Sequence, residues 1–283
     1  MASSTSITLT AGMRKNLFSL QNTSKLLEST QKRLATGLRV QSAVDDPVNY
    51  FTALSHRQRS TDLASRKDEM SESVQLIAAS NEGVESIAAL IASAKSLTQS
   101  ALSAATTSEI NTLYGQYTSV LTQIDQLGDD SGYKGINLLD GTAITHTVKF
   151  DETGTSSLTM TGFDASAQGA TLSLATFAAN GWVSAGGTAQ KAAINSAIAK
   201  LDSARSALRS EAQKLSTNLS TITIRQDFTS GMINTLEDGA AELTNADMNE
   251  EGANMLMLQT RQSLGTTSLS LASQAAQSVL RLF

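Results

Sequence analysis

A mainly α chain is what this sequence predicts: a rod of long antiparallel helices, with paired N- and C-terminal coiled-coil helices and a small β-rich insert. Three observations carry that reading. Apolar residues recur at alternating three- and four-residue spacing over long stretches, the mark of helices that pack along a seam. Aromatics make up 4% of the residues and there is one proline, a composition suited to long helices packed through small side chains. Ten of the eighteen glycines fall within residues 128–187, so turns and loops are confined to one region.

The first element starts near Met13, where Met13, Leu20, Leu27 and Leu34 repeat every seven residues and Leu17 fills a companion position. So narrow a stripe buries little surface alone and needs a second helix beside it. The pattern weakens at Gly37 and restarts at Asp45-Asp46-Pro47, an Asp N-cap followed by proline in the first turn. A helix follows to about Ala104, with Leu76, Ile87, Leu90, Ala94, Leu97 and Ala101 on one stripe. After a break at Ala105-Thr106-Thr107-Ser108, Ile110, Leu113, Tyr117, Val120, Ile124 and Leu127 form the next, giving a helical hairpin.

In the glycine-rich region, residues 144–150, 156–162 and 171–177 alternate as short strands. His146 falls on the otherwise apolar face of the first and reads as a partly buried, hydrogen-bonded histidine. A helix of about fifty residues then runs from Ile194 to Leu243, roughly 75 Å at 1.5 Å per residue. Asn245 or Asp247 caps the last helix, whose ladder is Met255, Leu258, Leu269, Ala272, Ala276, Val279 and Phe283, interrupted by Gln262 and Gly265. Residues 262–280 carry no charged side chain, so the two terminal helices are expected to pair and still to leave surface for further copies of the chain.

Several function classes are excluded or disfavoured. A net charge of −5 and a pI of about 5.1, with no basic stripe, argue against nucleic acid. With no cysteine and two histidines, thiolate chemistry and zinc sites find no ligands, and Asp129, Asp130 and Asp140 lack the spacing of an EF-hand loop. No cofactor, no metal and no enzymatic activity is expected, since no nucleophile, base and orienting group form a recognisable set. The first twelve residues are not patterned as a secretory signal, and no apolar run is long enough for membrane insertion.

The run Leu34-Ala35-Thr36-Gly37-Leu38-Arg39-Val40-Gln41-Ser42-Ala43 with Asp45-Asp46 resembles the N-terminal signature of the bacterial flagellins. Ala246-Asp247-Met248, Glu250-Glu251, Leu258-Gln259-Thr260-Arg261-Gln262-Ser263-Leu264-Gly265 and Leu280-Arg281-Leu282-Phe283 resemble the C-terminal one, and Gly135-Ile136-Asn137-Leu138-Leu139-Asp140-Gly141 is similar to the end of the family's N-terminal helical half. The run Pro47-Val48-Asn49-Tyr50-Phe51-Thr52-Ala53 departs from the commoner small, Gly-containing version and is similar to that of alphaproteobacterial flagellins.

The resemblance implies a self-assembling structural subunit of the flagellar filament, a helical homopolymer and motility propeller. It implies export through the flagellar type III apparatus with an export chaperone, secretion to the extracellular filament, and contact with the filament cap and hook–filament junction proteins. Residues 1–42 with 246–283 would form the inner tube, 43–140 with 188–245 the outer tube, and 141–187 a surface-exposed insert. The assembly interface is expected at Met13, Leu17, Leu20, Leu27, Leu34, Met255, Leu258, Leu269, Ala272, Ala276, Val279 and Phe283. Ser93, Lys95 and Ser96 stand where many flagellins carry the arginines and glutamate gripped by the animal flagellin-sensing Toll-like receptor, which implies weak recognition. The alternatives are a hook–filament junction protein, which shares the terminal helices, and a coiled-coil adaptor. The full C-terminal signature and short insert favour the filament subunit over the first, and the uncharged residues 262–280 contradict the second.

Overall fold

The computed structural model describes residues 11–174, 182 and 187–280. Along the chain come α1 (Ala11–Thr36), α2 (Pro47–Ser103), α3 (Thr107–Asp130), β1 (Thr145–Lys149), β2 (Ser157–Thr161), α4 (Gly187–Thr244) and α5 (Met248–Leu280). They divide into two compact units, Met1–Gln58 with Thr235–Phe283, and Arg59–Asn234. Both long helices, α2 and α4, give residues to each unit.

In the first unit α1 and α5 pair antiparallel. Asn16 donates to the Ser268 hydroxyl at 3.1 Å toward one end, and Arg33 meets the Glu251 carboxylate at 2.9 Å toward the other. The helix ends are set by local chemistry. Gly37 closes α1 in the left-handed region, at a φ of 71° that glycine adopts without strain, its N–H donating to the Arg33 carbonyl. Asp46 is the N-cap of α2, its carboxylate accepting from the Asn49 main chain and side chain, while Pro47 takes the first helical position as expected. Asp45 instead turns back onto the Gln41 and Ser42 N–H groups and the Ser42 hydroxyl. Those donors hold its carboxyl below the usual range, the Gln41 N–H contributing most. Asp247, rather than Asn245, caps α5 through the Asn249 and Glu250 N–H groups.

The two stretches that enter and leave the terminal pair are tied together. Arg39 and Val40 both donate main-chain N–H groups to the Thr244 carbonyl, Ala246 donates to Gly37, and Leu38 and Asn245 form an isolated antiparallel bridge. Arg39 adds a side-chain bond to the Leu243 carbonyl and Arg57 one to the Thr244 hydroxyl.

The second unit holds the main core. α2 and α3 form the expected helical hairpin, joined by a turn in which Thr106 and Glu109 make a reciprocal capping box. α4 runs antiparallel to α2, tied by Lys95 to Asp202 at 2.5 Å and by Gln226 to Ser71 at 2.9 Å. Ile77, Ile87, Ile91, Ile124, Leu201 and Leu208 are buried between these three helices.

The run of residues 135–141 earns its composition here. Gly135 and Gly141 take positive φ, Leu138 and Leu139 are fully buried, and the Asn137 amide donates to the Gly128 and Asp129 carbonyls that α3 leaves open at its end. β1 and β2 pair antiparallel, Val148 and Met160 facing the core from the strand face that also carries His146. His146 is half-buried, shares a 2.9 Å hydrogen bond with Ser73, and burial holds its pKa below the ordinary value.

Over its described part, residues 171–174, the third expected strand does not form. Residues 171–174 make a turn in which Ser173 takes a φ of 45°, with Leu172 and Leu174 both buried, and 175–177 lie outside the described residues. Alternation there reflects two core anchors spaced across a turn. Residues 141–174 therefore contribute to the core of the second unit, through Phe150, Met160, Phe163, Ala165 and Ala167.

Candidate functional site

Among the described residues no helix is long and apolar enough to cross a membrane, and no cluster of three or more His, Cys, Asp or Glu side chains is placed to hold a metal ion. A shallow groove of about 600 Å³ beside the α2–α3 turn is lined by Ser100, Ser103, Ala104, Ala105, Ser108, Glu109, Thr112 and Leu113 and brings no nucleophile and base together. Exposed large apolar side chains stand on both terminal helices.

Of the residues expected at the assembly interface, Met13 and Leu258 are buried and Leu20, Leu27, Leu34, Met255, Leu269 and Ala272 are half-buried. They lie on the ladders by which α1 and α5 pair within one chain. Leu17 is exposed, off the seam. The side chains of Ala276, Val279 and Phe283 lie outside the described residues.

The interruption of the α5 ladder at Gly265 has a physical reason: a Cβ there would come within 2.6 Å of Leu20 Cδ2, so the missing side chain is the hole that receives Leu20. Near the other end Glu251, almost fully buried, is neutralised by Arg33, which keeps a carboxylate tolerable in the seam.

What the seam leaves uncovered is informative. Met257, Leu264 and Leu271 recur every seven residues on α5, each one position before Leu258, Gly265 and Ala272, and so about 100° round the helix from the seam. They are 44%, 65% and 62% exposed. On α1, Phe18 and Leu26 are likewise exposed, as is Leu256 beside the α5 stripe. Sequence reading assigned one seam to each terminal helix and passed over this second stripe, although its seven-residue spacing is present in the sequence.

Ser93 and Ser96 are exposed on α2, and Lys95 between them is half-buried against Asp202.

Two family models match. Residues 9–144 match the bacterial flagellin N-terminal helical region and residues 192–283 the bacterial flagellin C-terminal helical region. The chain is similar to flagellin FljK of Caulobacter vibrioides, 27% identical over 282 residues and 98% of both chains. It is also similar to a flagellin of Brucella melitensis, 28% identical over 273 residues, 94% of this chain and 95% of the other. The crystal structure of Bacillus cereus flagellin overlays 57% of this chain and 88% of that one with a TM-score of 0.46 at 15% identity. With both helical regions matched, in order and in nearly the full length of these relatives, the chain belongs to the bacterial flagellins.

Proposed function

We propose that the chain is a structural subunit of the bacterial flagellar filament. It polymerises with copies of itself through its terminal helices, and neighbouring copies cover the outer stripe of α5 together with Phe18 and Leu26 of α1. The single observation that carries this is the exposed ladder of Met257, Leu264 and Leu271, because large apolar side chains at heptad spacing on an otherwise unoccupied helix face mark a second packing surface. A patch that meets a different patch on the next copy repeats without closing, which is the geometry of a filament.

In this reading residues 1–42 with 246–283 line the inner tube, 43–140 with 188–245 form the outer one, and 141–187 face outward. Export by the flagellar type III apparatus, an export chaperone, the filament cap and hook–filament junction proteins, and a secreted extracellular location belong to the same reading. So does a purely structural, non-catalytic role.

Electron microscopy of negatively stained, polymerised protein tests it. The parent chain is expected to form filaments, and Leu269→Asp to form none, because the carboxylate disrupts the half-buried seam at a cost of about 3 kcal/mol. Thr159→Asp, on the exposed face of β2, is expected to leave the yield unchanged. Wild-type yield from Leu269→Asp would show that assembly does not need the α1–α5 seam intact. With serines at 93 and 96 and Lys95 engaged by Asp202, weak activation of the flagellin-sensing receptor is expected, and strong signalling by pure monomer in a reporter assay would refute it.

A further inference from the structure

We propose that Met257 is an oxidation site that governs subunit addition: its conversion to the sulfoxide in the free subunit blocks growth of the polymer, and incorporation shields it. The inference rests on the filament reading above and adds to it a modification site with a defined chemistry.

The chain contains no cysteine, so its oxidisable sulfur lies entirely in eight methionines. The fold separates them sharply. Met13, Met70 and Met160 are buried at 8%, 0% and 1% exposure, and Met232 and Met255 are partly covered. Met248 and Met257 are exposed, at 48% and 44%, and are the two that an oxidant in solution reaches most readily among the described residues.

Their positions differ in consequence. Met248 is the first residue of α5 and lies outside the stripe, whereas Met257 shares it with Leu264 and Leu271. Hydrogen peroxide transfers one oxygen atom to the thioether sulfur and leaves as water, so the sulfur is oxidised by two electrons and the peroxide reduced. The product places a strongly polar S=O group where packing needs a flexible apolar one. In the monomer that oxygen is hydrated; under a neighbouring copy it would be buried without an assured donor.

The experiment treats full-length monomer with hydrogen peroxide, removes it with catalase, maps oxidation by peptide mass spectrometry and measures elongation on untreated filament seeds. Met257 is expected to oxidise in the monomer and to be protected at least tenfold in filaments. Oxidised monomer should elongate at least tenfold more slowly, and methionine sulfoxide reductases with dithiothreitol should restore the rate. Met257→Leu monomer should keep its rate after peroxide, and Met248→Leu should remain as sensitive as the parent. Equal inhibition of Met257→Leu, or an unchanged rate for parent monomer oxidised at Met257, overturns the proposal while leaving the filament reading intact. If untreated parent monomer fails to extend the seeds, both fall.

Discussion

Leu264→Asp is expected to abolish filament formation while leaving the monomer as helical and as heat-stable as the parent. Leu264 is 65% exposed on the outer face of α5, so in the free subunit the new carboxylate is solvated and the α1–α5 seam is untouched. The same carboxylate in the polymer loses its water against an apolar neighbour, at a cost of about 3 kcal/mol or more at every subunit contact. That corresponds to a rise of more than roughly a hundredfold in the concentration needed for growth. Sedimentation of polymer from monomer, alongside circular dichroism of the monomer, reads both halves of the expectation. Leu269→Asp should differ by also loosening the terminal pair within the monomer, because Leu269 is already half-buried there. Normal polymer from Leu264→Asp would show that the outer stripe faces no neighbour.

Gly83→Val should strongly destabilise the second unit. Gly83 sits in the middle of α2, where glycine costs about 1 kcal/mol relative to alanine. Its presence is explained by what lies opposite: a Cβ would come within 2.2 Å of the Ser131 hydroxyl oxygen and 3.0 Å of Leu139 Cδ2. Ser131 is buried and donates its hydroxyl to the Leu127 carbonyl at 2.6 Å, so it cannot swing aside without orphaning a polar group. Overpacking of this kind costs about 3 kcal/mol, and the melting temperature should fall by roughly 10 °C. Trp182, the single tryptophan, is buried against Tyr114 and Tyr117 in the same unit and reports the transition by fluorescence. An unchanged melting temperature would mean that the segment carrying Ser131 yields freely.

Two glycines closely approached by a neighbouring element were invisible as such in the sequence. Gly265 reads as a gap in a ladder and Gly83 as a weak point in a helix, because spacing along one chain says nothing of what approaches from another element. Helices were legible because their ladders are long. Even the capping box of α3 stood in the sequence as Thr106 and Glu109 three residues apart, though only the break around it was read. The expected strand is replaced by a turn over residues 171–174 for the opposite reason: over so few residues a period of two cannot separate a strand from a turn with two buried anchors. Of the site, the seam was legible from Met13 to Ala272, whereas the stripe at Met257, Leu264 and Leu271 was masked by the stronger ladder beside it.

The stapling of residues 37–40 to residues 244–246 has a mechanical meaning. A single covalent strand between two helices is a swivel, since rotation about a few main-chain bonds relieves any applied twist. Here two strands enter and leave side by side, crosslinked by the Arg39, Val40 and Ala246 N–H groups and by the Arg39 side chain. Twisting the terminal pair therefore loads both strands in parallel, and neither can turn unless these crosslinks shear together.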